Sequence, residues 1–179
     1  ALVNPGDEVI IPAPYWVSYP QMVKLAGGVP VIVSAGIEQD FKITAEQLEK
    51  AITPKTKMII LCSPSNPTGS VYSKEELDAL AKVVMSHEEL YVLSDEIYEH
   101  INYIGGHSSI AACLGMKERT IICNGVSKAY AMTGWRVGYA VGDPEIIAAM
   151  SKLTGQTTSN LTAVSQYATI EALTGPQDS

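Results

Sequence analysis

Basic residues are scarce in this sequence. Lysine and arginine together number 12, against 19 aspartate and glutamate residues, and the formal net charge is -7. Binding to nucleic acid or to an anionic membrane surface depends on clustered positive charge. The sequence therefore argues against both as the main partner and leaves small molecules as the expected ligands.

Cysteine and histidine are also few, with three of each. The cysteines form no Cys-x-x-Cys pair, and Cys62 and Cys123 lie inside apolar runs, where cysteine behaves as a small hydrophobic residue. Because an odd and scattered set suits a reducing compartment, we expect a cytoplasmic protein. The histidines lack the spacing of metal ligands, so we predict no metal site; they are His87, His100 and His107.

Long hydrophobic runs are absent as well. No apolar stretch approaches the ~20 residues of a membrane-spanning helix, and no positively charged leader precedes one, so we expect no membrane span. The 179 residues, 46% hydrophobic and 17% charged, suffice for one globular domain with a core. Because the sequence opens with Ala1 and runs straight into a turn, we expect 1–179 to be one domain of a longer protein.

Short apolar runs alternate with helical patterns along the chain. Strands are predicted over 8–12, 29–33, 58–62, 91–93, 120–123 and 137–141. Helices are predicted over 15–26, after capping boxes that begin at Thr44 and Ser73, and over 144–153 and 161–173. Continuous apolar strands indicate a sheet covered on both faces, and the last strand follows its predecessor too closely for a parallel crossover. We therefore predict a three-layer α/β/α sandwich with a mostly parallel sheet and one antiparallel strand.

Polar side chains follow three successive predicted strands. They are Asn66, Asp95 and Lys128, each just after a strand ends. Because ligands bind at the carboxyl ends of strands in such sheets, one rim can gather all three. Lys128 also has Ser127 beside it and Arg136 eight residues later, an arrangement that suits imine formation beside an anion site. For the lysine and arginine alone, two solvated surface charges are the simpler interpretation.

Five motifs occur in order along the chain: PGDEV at 5–9, PYW at 14–16, SNPTG at 65–69, SDEIY at 94–98 and SKAYAMTGWR at 127–136. Each alone is weak evidence, and together they are highly specific. With them, nearly the whole chain resembles the large domain of the fold type I, class I aminotransferases, which bind pyridoxal 5'-phosphate. Segments 14–20 and 131–136 resemble the bacterial aspartate aminotransferase subgroup most closely.

The resemblance implies a role for each residue after the strands. Lys128 is implied to bind the cofactor covalently and to move the proton between substrate and cofactor. Asp95 is implied to pair with the protonated ring nitrogen, so that the ring accepts electrons from the substrate. Asn66 and Tyr98 resemble the two donors to the ring hydroxyl oxygen, and the family often has a cis bond after this asparagine. The implied catalytic residues are Lys128, Asp95 and Tyr98.

Three further residues resemble cofactor contacts. Ser127 and Arg136 resemble the phosphate ligands, one as a hydroxyl donor and the other as a bidentate guanidinium. Trp16 resembles the aromatic ring that stacks on the pyridine face. Other side chains near the motifs are predicted to be packing residues, namely Trp135, Tyr15, Tyr19 and Tyr139. Glu96 is expected to point away from Asp95 because side chains alternate along a strand.

The resemblance also implies parts that this chain does not contain. Upstream of Ala1 the family has a glycine-rich phosphate loop and a first strand, and downstream it has a small domain whose arginine binds the substrate carboxylate. A tyrosine from the neighbouring subunit of a homodimer completes the phosphate site. We expect 175–179 to begin the connection to the small domain, and strand 137–141 to have an open edge. The isolated chain is therefore expected to be inactive or nearly so and to bind the cofactor weakly.

Several functions remain open. The favoured one is an aminotransferase that moves an amino group between an amino acid, aspartate in the first place, and a 2-oxo acid; an aromatic or kynurenine aminotransferase is nearly as compatible. A pyridoxal-phosphate-dependent lyase would share the same lysine, aspartate, tyrosine and arginine. A third function is the effector-binding domain of a regulator, which the acidic charge balance does not favour.

Overall fold

One mixed six-stranded sheet organises the protein, and the computed structural model describes residues 1–177. The strands are β1 (Glu8–Ala13), β2 (Val29–Ser34), β3 (Thr56–Cys62), β4 (Tyr91–Asp95), β5 (Thr120–Gly125) and β6 (Gly138–Val141). They lie in the order β2-β1-β3-β4-β5-β6, and neighbours are parallel except for the antiparallel pair β5–β6. The predicted sheet is confirmed. Residues 178 and 179, the end of the expected connecting segment, lie outside the described part.

Helices flank this sheet. They are α1 (Tyr19–Leu25), α2 (Ala45–Ala51), α3 (Lys74–Met85), α4 (Pro144–Thr157) and α5 (Ala163–Thr174). Both predicted capping boxes are present, with Thr44 and Gln47 at the start of α2 and Ser73 and Glu76 at the start of α3. Each box satisfies two backbone N–H groups that the helix itself cannot. Across residues 1–177, the helices are too short or too polar to span a membrane.

The first helix begins later than the sequence predicts. The predicted helix over 15–26 is observed only as Tyr19–Leu25, and the one predicted over 144–153 continues to Thr157. Pro20 explains the late start, because proline lacks a backbone N–H and fits an α-helix only in its first turn. Trp16 therefore precedes the helix and Tyr19 is its first residue.

Two apolar clusters cover the two faces of the sheet. One packs Ile10 of β1 against Leu77 and Leu80 of α3, and the other packs Ile11 of β1 against Val23 of α1. Ile10 and Ile11 belong to different clusters because successive strand residues point to opposite faces. This arrangement explains why the central strands are continuously apolar and confirms the layered fold.

Strands β5 and β6 approach each other closely where the chain turns between them. Gly125 and Gly138 are paired, and a Cβ on Gly125 would lie 2.7 Å from the carbonyl oxygen of Val137. That distance is too short for any side chain, so glycine is required at position 125. The close approach returns residues 126–137 over the carboxyl end of the sheet, and with them the loop that carries Lys128.

Replacing Gly125 with alanine is expected to lower the free energy of unfolding by about 1–3 kcal/mol, because backbone atoms of β6 must move to admit the methyl group. Urea unfolding followed by circular dichroism measures the change. Gly134→Ala in the same loop is the matched control, since a Cβ there meets nothing within 4 Å. Equal stabilities of the two variants would contradict the packing argument.

Candidate active site

A cleft of about 330 Å³ opens at the carboxyl ends of β3, β4 and β5. It is lined by all the residues predicted to hold a cofactor: Trp16, Asn66, Asp95, Tyr98, Ser127, Lys128 and Arg136. The prediction that one rim gathers Asn66, Asp95 and Lys128 is therefore confirmed. The reason is topological, because β3, β4 and β5 are parallel neighbours whose ends meet at one edge.

Asp95 is the last residue of β4 and lies in register between Cys62 of β3 and Cys123 of β5. Its carboxylate accepts two hydrogen bonds. The Tyr19 hydroxyl donates to Oδ2 at 2.6 Å, and the backbone N–H of Ile97 donates to Oδ1 at 3.2 Å. Because both oxygens are engaged, the orientation of this carboxylate in the cleft is fixed from two sides.

Glu96, the next residue, points to the opposite side of the sheet, as predicted. Its buried carboxylate accepts hydrogen bonds from Ser94 at 2.9 Å and Ser109 at 2.6 Å, and it pairs with Nε2 of His107 at 2.8 Å. Burial opposes ionisation of Glu96, but the hydrogen bonds from His107 and the two serines outweigh it and lower its pKa. The hydrogen bond to Glu96 raises the pKa of His107 against the effect of burial. This network anchors the loop after β4 behind the cleft.

The Glu96–His107 pair is expected to make stability depend on pH. The pKa of Glu96 lies below its ordinary 4.5, so its contribution is present above pH 4.5 and is lost as the pH falls through the lowered value. The pKa of His107 lies above its ordinary 6.5, so its contribution is complete below pH 6.5 and is lost as the pH rises through the raised value. The pair therefore stabilises most between pH 4.5 and 6.5.

His107→Gln tests this pH dependence by urea unfolding at a series of pH values. Near the acid end of the window the free energy of unfolding of the wild type is expected to exceed that of the variant by about 1 kcal/mol, because the charged donor to Glu96 is replaced by a neutral one. In mildly alkaline solution the difference should shrink. The exposed His100 serves as control through His100→Gln. A difference between wild type and His107→Gln that stays constant with pH would contradict the assignment.

Asn66 and Tyr98 approach each other on one wall of the cleft. The Asn66 amide donates a hydrogen bond of 3.4 Å to the Tyr98 hydroxyl, and the Asn66–Pro67 peptide is cis. Lys128 Nζ lies 5.6 Å from the centroid of the Tyr98 ring, a cation–π distance. An amide, a phenol and an amine thus share one side of the cleft.

Thr133 links the two ends of the loop 127–136. The Thr133 hydroxyl donates to the carbonyl of Ser127 at 3.2 Å, and the Arg136 guanidinium donates to the carbonyl of Thr133 at 3.0 Å. Arg136 is exposed and has a left-handed backbone, with φ of 56°. Ser127 and Arg136 both line the cleft, and a serine hydroxyl with a guanidinium is a donor set suited to an oxyanion.

Trp16 covers another side of the cleft. Its ring meets the edge of the Tyr19 ring at a centroid distance of 5.5 Å and an interplanar angle of 88°. The side chain remains 40% exposed, so part of its aromatic surface is open to a ligand in the cleft. This placement suits the predicted stacking role of Trp16 better than a role in the core.

The cysteines beside Asp95 are neutral groups. Burial, and then the negative charge of Asp95, raise the pKa of both Cys62 and Cys123 to about 11. Both thiols therefore stay protonated at neutral pH and are poor nucleophiles. Their behaviour agrees with the prediction that they act as small hydrophobic residues.

Comparison with known proteins identifies the family of this chain. A profile of the family described as "Aminotransferase class I and II" matches residues 1–179. The chain belongs to this family. Among curated aminotransferases, it is 57% identical to the aspartate/prephenate aminotransferase of Cereibacter sphaeroides and 59% identical to the aspartate aminotransferase of Bacillus sp. strain YM-2, in both cases over 99% of the chain. It is also 57% identical to an asparagine–oxo-acid transaminase of Streptococcus mutans over 99% of the chain.

Solved aminotransferase structures share the fold. An aspartate aminotransferase from Rhizobium meliloti aligns with a TM-score of 0.95 and 48% identity, covering 98% of this chain and 44% of that one. An aromatic aminotransferase from Pyrococcus horikoshii aligns with a TM-score of 0.93 and 44% identity, covering 96% and 46%. The chain spans about half the length of its curated relatives, with 45% of the first and 46% of the second covered.

Aminotransferases of this family use pyridoxal phosphate, and the chemistry of the cleft fits that cofactor. The Asp95 carboxylate is an acceptor for a ring N–H, and the Asn66 amide and Tyr98 phenol in the same cleft are donors for a ring oxygen. The hydroxyl of Ser127 and the guanidinium of Arg136 are donors for a phosphate, and Lys128 supplies a primary amine. Each polar group of the cofactor therefore has a partner of matching chemistry among residues that line one cleft.

Sequence reasoning missed part of the cleft. Tyr19 was predicted to be a packing residue, and it does pack in the apolar cluster with Ile11; its hydroxyl also contacts Asp95, a contact that was not predicted. Ile97, Cys123, Asn124 and Thr133 also line the cleft. Strand register could have indicated Cys123, which lies opposite Asp95, but the partner of Tyr19 is 76 residues away and has no local signal.

The histidine spacing also failed to reveal one polar cluster. Ligand atoms of Glu96, Glu99 and His107 lie within 4.8 Å of one another. The fold, rather than any sequence motif, brings these side chains together. Glu96 is already engaged by Ser94, Ser109 and His107, so the cluster is explained by its own hydrogen bonds. The absence of a metal site stays a prediction.

Proposed function

We propose that this chain is the cofactor-binding large domain, 1–179, of a longer pyridoxal-phosphate-dependent aminotransferase. The observation that carries the proposal is the convergence of the predicted cofactor residues on one cleft, in a chain that belongs to the aminotransferase family. Its coverage of about half of each relative, 45% and 46%, supports a longer protein. The edge strand β6, with Tyr139 and Val141 exposed, could pair with a further strand.

Different residues of the cleft would contact different parts of the cofactor. Ser127 and Arg136 would bind the phosphate, Asn66 and Tyr98 would donate to the ring hydroxyl oxygen, and Trp16 would cover the ring face and exclude water. When bound, pyridoxal phosphate supplies an aldehyde that condenses with primary amines and a ring that accepts an electron pair from the substrate.

Two residues of this chain, Lys128 and Asp95, would take part in the reaction. Lys128 would join the cofactor through Nζ. When an amino acid displaces it, Nζ would accept the proton from the substrate Cα and later give that proton back as the product forms. Asp95 would accept a hydrogen bond from the ring N–H and hold the proton at that nitrogen. Its two existing donors, Tyr19 and Ile97, leave the carboxylate preoriented for that contact.

The proposed substrates are aspartate as amino donor and a 2-oxo acid, with 2-oxoglutarate first. The names of two relatives, aspartate and aspartate/prephenate aminotransferase, support aspartate. Another relative is named for asparagine, and a similar structure is an aromatic aminotransferase, so substrate choice varies among proteins that share this domain. We place the selecting groups outside the chain, which predicts that 1–179 alone is inactive or nearly so.

The proposal extends to assembly and location. The complete protein is proposed to be a homodimer, because the family resemblance assigns one phosphate contact to a neighbouring subunit. A cytoplasmic location is proposed because all of Cys62, Cys113 and Cys123 are free thiols, which suits a reducing compartment. Amino acids and 2-oxo acids are the proposed partners, and nucleic acids and membranes are not.

Product analysis tests the reaction class. The complete protein with pyridoxal phosphate, aspartate and 2-oxoglutarate is expected to form oxaloacetate and glutamate in equal amounts. When the oxo acid is omitted, the reaction is expected to stop after a single half-turnover per site. In a parallel assay with serine, whose β-hydroxyl can leave, and no oxo acid, release of pyruvate and ammonia would instead identify a lyase. Binding of an amino acid without either product would favour an effector-binding domain.

A further inference from the structure

The contact between Tyr19 and Asp95 joins the start of α1 to the end of β4 across the cleft. It is short, at 2.6 Å, and it links residues 76 positions apart. Tyr19 is only 4% exposed, so the hydrogen bond is largely shielded from water. A buried hydroxyl needs a partner, and this one has the carboxylate that faces the proposed cofactor.

The hydroxyl of Tyr19 acts as a permanent donor in this pair. Burial, the neighbouring Cys62 and the negative charge of Asp95 raise the pKa of Tyr19 well above its ordinary value. A phenol that keeps its proton can donate to a carboxylate at any physiological pH. A hydrogen bond donated to a carboxylate stabilises the charged form of that carboxylate relative to the protonated form.

We propose that Tyr19 is a positioning residue for the aminotransferase reaction, which acts on the cofactor ring through the Asp95 carboxylate. The inference rests on the proposed function. Tyr19 stabilises the Asp95 carboxylate as an anion and fixes its orientation. The proton shared between Asp95 and the cofactor would therefore stay on the ring nitrogen and not move to the carboxylate. With the cofactor bound, Tyr19 and Asp95 would together hold the proton at the ring nitrogen, and the positive charge there would lower the proton affinity of the nitrogen bonded to Lys128.

Tyr19→Phe removes the donor and keeps the ring that packs on Trp16. Without the donor, the Asp95 carboxylate would attract the proton on the ring nitrogen more strongly. The ring would then carry less positive charge and would withdraw less electron density from the nitrogen that joins Lys128 to the cofactor. That nitrogen then keeps its own proton to higher pH. The midpoint of the pH-dependent change in the visible absorption of the bound cofactor is expected to rise by about 0.5 to 1 pH unit.

Other titratable groups around Asp95 must be accounted for in this titration. Cys62 lies beside Asp95 in the sheet, on β3. The other groups line the same cleft; they are Cys123 on β5, Tyr98, Lys128 and Arg136. The thiols are neutral in the relevant range because the pKa of each is about 11. None of these groups is altered by the substitution, so a shift of the midpoint reports the loss of the hydroxyl.

Tyr15→Phe is the matched control. Tyr15 lies four residues earlier, is half-buried and packs on the cluster that contains Tyr19, yet it lies outside the cleft that holds Asp95. The control variant is expected to leave the spectral midpoint unchanged. A general loosening of this apolar cluster would move both variants alike, whereas the proposed role moves Tyr19→Phe alone.

A second variant keeps the proposal testable if Tyr19→Phe folds poorly. Incorporation of 3-fluorotyrosine at position 19 makes the phenol a stronger donor with little change of shape, and the midpoint is expected to move to lower pH. Borohydride labelling of Lys128 in the same preparations distinguishes failure of the Tyr19 proposal from failure of the proposed function. A labelled Lys128 with no midpoint shift in either variant overturns the role of Tyr19 alone, and an unlabelled Lys128 in the wild type overturns the proposed function.

Discussion

Replacement of Lys128 by alanine is expected to lower kcat of the complete aminotransferase by about 10⁴-fold, the upper end of what a positioned general base contributes. The variant loses both the primary amine that would join the cofactor and the group that would carry the substrate proton. No other lysine lines the cleft described for residues 1–177, so a substitute within that cleft is not available. Single-turnover kinetics with aspartate measures the loss.

Two companion variants sharpen this prediction. Lys128→Arg keeps the positive charge near Tyr98 but cannot release its proton at neutral pH, so it is expected to lose as much activity as the alanine variant. Lys55→Ala, just before β3 at the opposite edge of the sheet, is expected to retain full activity. If Lys128→Ala kept more than about a tenth of the wild-type kcat, the role of Lys128 as base would be contradicted.

Asp95→Asn is expected to lower kcat by about 10²- to 10³-fold, the range for removal of one preorganised electrostatic contact. An amide cannot balance the charge of a protonated ring nitrogen, so the ring would accept electrons less readily. The amide oxygen can still accept from Tyr19, which preserves the local packing and separates the charge effect from unfolding.

The control for the aspartate prediction is Asp78→Asn. Asp78 lies on α3, pairs with Lys74 and is part of no cleft contact described above. It is expected to leave kcat and the visible absorption of the cofactor unchanged. Asp95→Asn with normal kcat but weaker cofactor binding would reduce Asp95 to a binding group and contradict its proposed role in the reaction.

The gathering of Asn66, Asp95 and Lys128 could be predicted because it depends on local signals. Continuous apolar runs identify parallel strands, and in a parallel sheet the residues after neighbouring strands lie at one edge. Alternation along β4 likewise predicted that Glu96 and Asp95 face opposite sides. In each case the sequence neighbours of the residue determine where it lies.

The contacts that the sequence did not reveal depend on long-range packing. Tyr19 was predicted only to pack, and it lies in the first turn of α1, where its hydroxyl also contacts Asp95. His107 reaches Glu96 from an irregular loop whose path has no periodic pattern. Such pairs depend on how separate elements dock, and propensity and periodicity carry no information about docking.

We place substrate choice outside this chain. Its cleft is proposed to hold the ring and phosphate of the cofactor, and the relatives that share the domain carry names for aspartate, prephenate and asparagine. High identity over the shared half, 57% for both relatives, is thus compatible with different substrates. The domain accordingly supports a reaction class more strongly than it supports one substrate.

The central claim is that Lys128 is the residue that joins the cofactor. The direct test is borohydride reduction of the complete protein with pyridoxal phosphate, followed by proteolysis and mass spectrometry of the peptides. The account predicts a pyridoxyl label on Lys128 at close to one per chain, and no stable label on Lys128→Ala. A label on another lysine, with Lys128 unmodified, would contradict it.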